Sequence, residues 1–386
     1  MTILILYSHM IITDQSLKLL QTIISFVLAS SLVSFLWAPL LIKFLYKYKI
    51  VRNSKYDATL AMGARTSKYG VPIMGGLLII ITIAAMTLLF NWERKFTWVP
   101  IGVMLIASTL GGVDDILNNV YKKKRRNRKL SQVLRLIKVH SDWKMRLWYT
   151  ITLPWSAFKR SSMWLGSHPG SGLHVHERLF FQFATGSITA WWIYTKLGDH
   201  WQTIVLPFYG NLDIGWFIIP LIILFVMFTA NAVNVADGMD GLAGGSLIIT
   251  FSALTLLSWL GGYSEIAILN ATTVGALITY TYFNIKPARF QMGDVGSLGM
   301  GALLAINTMV INKMILLPLL AFIFYVELLS VIIQIFGRTF LGRRIFKMAP
   351  IHHHFEIRGW SEEKTVMRFW MIHAVVVLFG VWIALY

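Results

Sequence analysis

The sequence lacks cysteine altogether and contains little charge. None of its 386 residues is Cys, which excludes disulfides, thiolate zinc sites, iron–sulfur clusters and cysteine nucleophiles. Only 13% of the residues are charged, whereas about a quarter are charged in a typical soluble domain. Apolar residues are abundant instead, because 56% of the chain is hydrophobic and its mean hydropathy is +0.64. This composition excludes the soluble classes and predicts an all-α polytopic membrane protein.

Long apolar runs occur along most of the chain. A membrane-spanning helix needs about 20 mostly apolar residues, and reading for such runs predicts about ten transmembrane helices in a single membrane domain over 1–386. The predicted spans are 17–42, 71–90, 98–116, 179–197, 215–233, 242–260, 265–284, 297–312, 314–336 and 369–386.

Acidic residues are scarce relative to basic ones, with 17 Asp and Glu against 35 Lys and Arg. Thirty of these bases lie in the loops after the first, third, seventh and ninth runs. Loops rich in Lys and Arg face the cytoplasm, so both termini are predicted to lie outside. This topology accounts for the net charge of +18 without nucleic acid as a partner. Anionic lipid and an anionic substrate are the partners that these loops favour.

Residues 118–178 differ from the rest of the chain. They begin with a basic run and continue with further bases and several tryptophans. A basic, Trp-bearing stretch beside a bilayer is typical of a segment that lies at the headgroups, although a solvated basic loop fits the charge equally well. We interpret 118–178 as an inserted cytoplasmic or interfacial segment and predict a pair of basic helices there.

Five aspartates fall at the predicted cytoplasmic ends of spans: Asp114, Asp115, Asp237, Asp240 and Asp294. Asp114 or Asp115 alone is explained equally well as a helix cap or a polar span end, but two adjacent carboxylates repel one another unless a cation lies nearby. Carboxylates bind hard cations such as magnesium, which also bind the phosphate oxygens of substrates. Lysines and glycine-rich turns receive phosphate groups. The combination indicates metal-assisted chemistry on a phosphorylated substrate at the cytoplasmic surface.

The stretch NAVNVADGMDGLA carries the most specific pattern. Asn231, Asn234, Asp237 and Asp240 recur every three residues, so one helical turn after another would present them along one face. Gly238 and Gly241 allow a ligand to approach the backbone closely. A ligand-binding turn is therefore favoured over a plain loop.

Three adjacent histidines, His352 to His354, follow Pro350 in APIHHHFE. On a regular helix neighbouring side chains point about 100° apart, so the three cannot bind one metal. In a loop they would donate to phosphate or transfer protons. Glu327 lies inside the ninth run, where Ser330 and Gln334 share its helix face, and an interhelical hydrogen bond is favoured over catalysis for it.

Together these motifs resemble the phospho-N-acetylmuramoyl-pentapeptide transferase family, within the polyprenyl-phosphate N-acetylhexosamine-1-phosphate transferase superfamily. The resemblance covers nearly the whole chain apart from the insertion. It is carried by SKYGVPIMGG (67–76), Asp114-Asp115, NAVNVADGMDGLA (231–243), MGDVGSL (292–298), ELLSVIIQ (327–334), APIHHHFE (349–356) and RFW (368–370).

The resemblance implies a ten-span enzyme of the bacterial inner membrane with its active site in the cytoplasm. The implied reaction transfers phospho-MurNAc-pentapeptide from its UDP carrier to undecaprenyl phosphate, with magnesium, and releases UMP. It is a step of peptidoglycan synthesis, and hence of cell-wall biogenesis, cell shape and cell division. Membrane lipid and a second copy of the chain are further expected partners.

The resemblance also implies residue roles. Asp115 and Asp294 correspond to the metal-associated carboxylates, and Asp114 to the acid that takes a proton from the attacking phosphate. His352, His353 and His354 correspond to the motif of the muramoyl enzymes and join the catalytic set. The nucleotide and diphosphate pocket corresponds to Lys68, Asn234, Val235, Asp237, Asp240, Asn284, Gln291 and Gly293.

Three positions depart from the family pattern. Asn118 stands where a Lys is usual, with Lys122 to Lys124 nearby. Gln291 replaces an aromatic residue that stacks on uracil, and Ser171 replaces a basic loop residue. These departures surround the nucleotide pocket or the insertion, so they predict altered substrate affinity rather than a different reaction.

Other functions fit parts of the sequence. An N-acetylglucosamine-1-phosphate transferase shares the aspartate motifs but typically has a spaced His-x-His-x-Arg pattern. A transporter also carries buried acids on broken helices, but it predicts them near the bilayer midplane, where only Glu327 lies. An inactive homologue that binds lipid or partners is the third alternative, which the departures at Asn118 and Gln291 allow.

Overall fold

The computed structural model of the protein describes residues 14–51, 70–93, 96–118, 130–154, 156, 175–197 and 203–386. Helices account for most of this part of the chain. We number them α1 Asp14–Lys47, α2 Leu77–Phe90, α3 Trp98–Ile116, α4 Leu130–Val139, α5 Trp143–Ile151, α6 Val175–Trp192, α7 Ile218–Ala236, α8 Leu242–Leu260, α9 Ser264–Asn284, α10 Gly293–Val310, α11 Leu317–Leu320, α12 Phe322–Phe340, α13 Ile351–Ile357 and α14 Glu362–Ala384.

Eight of the described helices are long and apolar enough to cross a membrane: α1, α3, α7, α8, α9, α10, α12 and α14. Helix α2 is apolar throughout but has only 14 residues. Each of the ten predicted spans overlaps a helix, so the all-α polytopic class is confirmed. The count of ten spans and the side on which the termini lie stay predictions.

The second predicted span, 71–90, begins later in the structure, at Leu77. Its first residues pair instead with the backbone that precedes α10, because Gln291 N donates to Pro72 O and Gly75 N donates to Gln291 O, at 2.8 and 2.7 Å. Gly75 and Gly76 permit this approach, since a Cβ on Gly76 would lie 2.3 Å from Gly296 Cα. The pairing brings two distant sequence motifs side by side.

The ninth predicted span, 314–336, is broken rather than continuous. Helix α11 ends at Leu320, Ala321 leaves helical geometry with φ −112° and ψ 28°, and α12 begins at Phe322. Side chains from neighbouring helices satisfy the backbone at the break: Thr250 Oγ1 donates to Leu320 O at 2.8 Å, and Ile323 N donates to His373 Nδ1 at 3.4 Å. Irregular backbone is tolerated in a membrane protein where protein groups satisfy it in this way.

Helices α9 and α10 form the interior of the bundle. Of α10, 89% of the residues are buried, whereas the apolar face of α1 is largely exposed at the periphery. Helix α10 packs against α3 and α7, and α9 packs against α1 and α8. Small residues make the close approach possible, because a Cβ on Gly301 would lie 2.6 Å from Ala230 Cα. Such contacts between small residues are typical of membrane helix packing.

Two features lie outside the main bundle. A hairpin of β1 (Thr203–Leu206) and β2 (Gly210–Asp213) pairs antiparallel with Thr203 opposite Asp213; the sequence analysis did not predict it. Helices α4 and α5 pack on one another within the insertion, which agrees with the predicted helix pair. Their location at a membrane surface stays a prediction.

The chain direction brings several helix ends to one end of the bundle. The last turns of α3, α7 and α9 lie there with the first turns of α6, α8 and α10, because consecutive spans alternate in direction. Asp114, Asp115, Asp237 and Asp294 lie at these ends, so the fold gathers the predicted aspartates on one surface.

Candidate active site

Asp114 and Asp115 lie in the last turn of α3, and both side chains are buried. The adjacent Gly111 lets α3 approach the start of α10, because a Cβ there would lie 2.0 Å from Asp294 O. Asp115 Oδ2 accepts a hydrogen bond from Val295 N at 3.1 Å. An acid from one helix thus satisfies a free amide in the first turn of another, where the helix dipole favours negative charge.

Asp294 lies in the first turn of α10 and is bonded to α7. Its Oδ1 accepts from Asn234 Nδ2 at 2.7 Å, and the same amide donates to Ser297 Oγ at 2.8 Å. The repeated spacing of Asn234 and Asp237 therefore presents both residues to the beginning of α10. The other two residues predicted on this face differ: Asn231 bonds to Gln182 of α6, and Asp240 lies in the turn beyond the end of α7.

Gly293 stands at the centre of these contacts. Its amide donates to Asp237 Oδ2 at 3.0 Å, and its φ of +72° is a conformation that favours glycine. A Cβ at this position would lie 2.6 Å from Asp115 Oδ2. The carboxylates of Asp115, Asp237 and Asp294 come from the last turn of α3, the C-terminal end of α7 and the first turn of α10.

Arg178, in the first turn of α6, supplies a positive charge to this group. Its guanidinium Nη2 bonds to Asp114 Oδ2 and lies 3.2 Å from Asp294 Oδ2. We call Asp114, Asp115, Asp237 and Asp294 the aspartate cluster. The sequence analysis did not single out Arg178 and counted it only among the basic residues of the loops. Its position just before the fourth predicted span, on the same side as the aspartates, could have indicated it.

The other predicted pocket residues brace the turn between α7 and α8. Asn284 is buried, accepts from Gly241 N at 2.9 Å and donates to Phe290 O at 2.9 Å. Asp240 Oδ2 accepts from Ala288 N at 3.3 Å. Val235 and Gln291 are half-buried beside the cluster. The structure thus places these four residues together at the same end of the bundle.

The histidines lie on a short helix, α13, rather than in the loop that we expected. His352 Nδ1 is 2.9 Å from Glu327 Oε2, His352 Nε2 is 3.1 Å from His353 Nε2, and His353 Nδ1 is 3.0 Å from Glu356 Oε2. We call these four residues the histidine cluster. The contacts form one row in the order Glu327, His352, His353 and Glu356.

Glu327 does not bond through its carboxylate to the residues that share its helix face. Ser330 Oγ donates to the Glu327 backbone carbonyl at 2.6 Å, and Gln334 bonds to the backbone of 345–346. The carboxylate partner is His352, which arrives from the next helix. The expected interhelical hydrogen bond is present, but it belongs to the histidine motif.

His354 differs from its two neighbours. Its ring is only half-buried, and its Nδ1 accepts from Lys347 N at 3.1 Å. Partial burial, followed by the positive charges of Arg358 and Lys347, lowers the pKa of His354 below its usual value of 6.5. The ring is therefore neutral at pH 7 and takes no part in the histidine cluster.

Helix α13 docks against the turn that ends α7. A Cβ on Gly238 would lie 2.5 Å from His352 Nε2, so glycine is needed for the histidine ring to sit there. The neighbouring residue, Asp237, belongs to the aspartate cluster and accepts a hydrogen bond from Gly293 N. The two clusters therefore meet at adjacent residues of one turn.

Some predicted residues cannot be placed. Lys68, Ser171 and Lys122 to Lys124 lie outside the described residues. Asn118 is described and follows α3 directly, in the turn after Asp115.

The aspartate cluster suits a magnesium ion by its chemistry. Within the described ranges, no set of three or more His, Cys, Asp or Glu forms a ready cage for a metal, but magnesium is usually held by one or two carboxylates together with substrate phosphates. Asp115 and Asp294 are such carboxylates. The missing side chain of Gly293 leaves space against Asp115 that a Cβ would fill. These residues fit the ion that the sequence predicts.

Comparisons with known proteins agree with the motifs. A family model described as glycosyl transferase family 4 matches residues 170–312. A protein of Levilactobacillus brevis named phospho-N-acetylmuramoyl-pentapeptide-transferase is 33% identical over 328 residues, which cover 82% of this chain and 85% of the relative. Proteins of the same name from Desulfotalea psychrophila and Chloroflexus aurantiacus are 32% and 31% identical over 333 and 334 residues.

These matches cover about four-fifths of this chain and of each relative. The Desulfotalea match spans 81% of this chain and 80% of the relative, and the Chloroflexus match spans 82% and 78%. On these matches, and on the motifs that the fold brings together, the chain belongs to the phospho-N-acetylmuramoyl-pentapeptide-transferase family.

Proposed function

We propose that this protein transfers phospho-MurNAc-pentapeptide from UDP-MurNAc-pentapeptide to undecaprenyl phosphate, releasing UMP and forming the first lipid-linked peptidoglycan precursor. The proposal places the aspartate cluster at the cytoplasmic face of a bacterial inner membrane, since Lys and Arg are concentrated in the sequence that follows α3, whose last turn carries Asp114 and Asp115. The reaction exchanges one phosphoanhydride for another, so the enzyme has to lower a barrier rather than drive an uphill reaction.

The observation that carries the proposal is the convergence on Gly293. Gly293 N donates to Asp237, and Asp115 Oδ2 lies against the space where a Gly293 Cβ would be. The carboxylate of the next residue, Asp294, accepts from the Asn234 amide. A diphosphate is an anion, so this group needs a cation to receive it. A magnesium ion held by Asp115 and Asp294 would neutralise and orient the diphosphate oxygens.

The protein's own residues favour direct attack by the lipid phosphate. The second pKa of a phosphate monoester is about 6, so it is mostly dianionic at pH 7 and needs no strong base. Asp114 is buried and its Oδ2 is bonded to the Arg178 guanidinium, so this oxygen is already engaged and is poorly placed to accept a proton or attack phosphorus. Asp114 is therefore better suited to organising charge than to acting as base or forming a covalent phospho-aspartate.

Positioning is the second contribution of the site. The backbone of Gly293 and the amide of Asn234 fix two of the carboxylates by hydrogen bonds. The histidine cluster lies one residue away along the Asp237–Gly238 turn, where it would meet the sugar end of the donor. Holding both reactants in line lowers the entropic part of the barrier.

The test is release of UMP by the purified full chain in lipid nanodiscs. UDP-MurNAc-pentapeptide is supplied with and without undecaprenyl phosphate, and UDP-N-acetylglucosamine is supplied in parallel. We expect multiple turnovers only when the muramoyl donor and the lipid phosphate are both present. One equivalent of UMP per enzyme without lipid would instead indicate a covalent intermediate.

Two results would contradict the proposal. Equal or faster release from UDP-N-acetylglucosamine would favour the related hexosamine enzymes. No release from either donor, by a folded protein supplied with magnesium, would favour an inactive homologue or a transporter.

A further inference from the structure

Arg178 makes contacts that the proposed reaction does not by itself require. Its guanidinium joins an acid of α3 to an acid of α10, because Nη2 contacts both Asp114 and Asp294. The side chain is about two-thirds buried, with 32% of its surface exposed. Its Nε is buried and has no hydrogen-bond partner among the described residues. The guanidinium is thus fixed by carboxylates, with one donor unused.

The position of Arg178 conflicts with that of a bound divalent cation. Asp294 Oδ2 faces the guanidinium at 3.2 Å, while Oδ1 accepts from Asn234. Both carboxylate oxygens of Asp294 therefore have protein partners. A divalent ion on this carboxylate would be repelled by the nearby guanidinium and would compete with it for the same oxygen.

We propose that Arg178 is a positioning residue that ties Asp114 to Asp294 and lowers the affinity of the aspartate cluster for a divalent cation. An anionic phosphate substrate offers the guanidinium a competing partner, and its unused Nε donor suits such an oxygen. Substrate binding and cation binding are then coupled through Arg178. This inference rests on the proposed function, because it takes Asp294 as a cation ligand.

The experiment measures binding of Mn²⁺ by electron paramagnetic resonance, on the full chain in nanodiscs without substrate. We expect R178Q to bind Mn²⁺ about tenfold more tightly than the unchanged protein, because a neighbouring positive charge is removed. R178K keeps the charge, but a single ammonium does not reproduce the fork of a guanidinium. It should bind Mn²⁺ with an affinity between the other two.

The matched control is K196Q, which removes the same charge from the segment that continues α6, beyond its far end. It should leave Mn²⁺ affinity unchanged. Adding UDP-MurNAc-pentapeptide should tighten Mn²⁺ binding by a larger factor in the unchanged protein than in R178Q. Melting curves verify that each variant is folded, and R178K provides the same comparison if R178Q is not.

The outcomes separate the two proposals. Equal or weaker Mn²⁺ binding in folded R178Q, with normal binding by the unchanged protein, overturns the role of Arg178 alone. Absence of Mn²⁺ binding by the unchanged protein, together with absence of UMP release, overturns the proposed function instead. A raised KM for the lipid phosphate in R178Q with unaltered Mn²⁺ affinity would make Arg178 a phosphate ligand only, and would also overturn the inference.

Discussion

The aspartate cluster and the histidine cluster lie on either side of one turn, yet they are built differently. The aspartate cluster gathers four acids, and Arg178 is the base seen to contact two of them. In the histidine cluster, two adjacent imidazoles lie between two acids along a row of three hydrogen bonds. An excess of one charge sign needs a ligand to balance it, whereas each ring nitrogen of His352 and His353 already has a hydrogen-bond partner. The first arrangement suits binding, and the second suits the positioning of a rigid surface.

Neutralising one acid of the aspartate cluster should lower turnover more than any change in the histidine cluster. We expect D294N to lower turnover by about 100- to 1,000-fold, because the amide cannot provide the anionic ligand, while its shape is retained. D115N should behave similarly. UMP release by the purified variants is the measurement.

An equivalent change elsewhere provides the control. D213N alters an exposed acid on the hairpin and should leave turnover unchanged. Near-normal turnover in folded D294N would show that the reaction does not need the negative charge of Asp294.

A smaller effect is expected from the histidine cluster. E327A leaves the buried His352 Nδ1 without its partner, at a cost of about 1–3 kcal/mol in stability, and should lower turnover about tenfold through misplacement of the histidines. E327Q keeps an acceptor for the ring and should recover most of both losses. Turnover and melting temperature are measured together.

E265A is the control, because it removes an acid from the start of another apolar helix, α9. It tests whether the effect of E327A is specific to the histidine cluster. E265A should melt and react almost as the unchanged protein does. If E327Q were as impaired as D294N, the histidine cluster would be a charged binding site and the contrast between the clusters would fail.

The smallest effect concerns His354, which stands outside the paired row. Its lowered pKa means that, as pH falls through 6.5, the unfolded chain takes up a proton before the folded protein does. The stability associated with this ring is therefore present above pH 6.5 and declines below it. H354Q should reduce the fall in melting temperature between about pH 7.5 and about pH 5.5, with turnover within about threefold of normal.

Identical pH profiles of melting for H354Q and the unchanged protein would contradict the pKa assignment. A loss of turnover as large as that of E327A would place His354 within the catalytic surface.

Much of the fold followed from the sequence because apolar runs have few alternatives in a membrane. All ten runs overlap helices, and the acids gather at one end, because spans alternate in direction. The break at Ala321 did not follow, since it depends on His373 and Thr250 from distant helices. The short hairpin was missed because its strands have only four residues each.

The site was predicted well where its residues share a motif and poorly where partners come from elsewhere. Asn234 and Asp237 were predicted to share a face, and both reach the start of α10. Arg178 and its partner Asp114 are 64 positions apart in the sequence, and Glu327 and His352 are 25 apart. Pairs at such separations are set by tertiary packing, which the local pattern of one sequence does not specify.

The turn between α7 and α8 sets a fixed spacing across the active surface. Asp237 reaches the carboxylates through Gly293, and the next residue, Gly238, receives the imidazole of His352. Consecutive Cα atoms are about 3.8 Å apart whatever the rest of the fold does. The turn therefore fixes the distance between the region that would bind the phosphates and the region that would meet the sugar. A donor with a different spacing between these groups would contact one region and not the other.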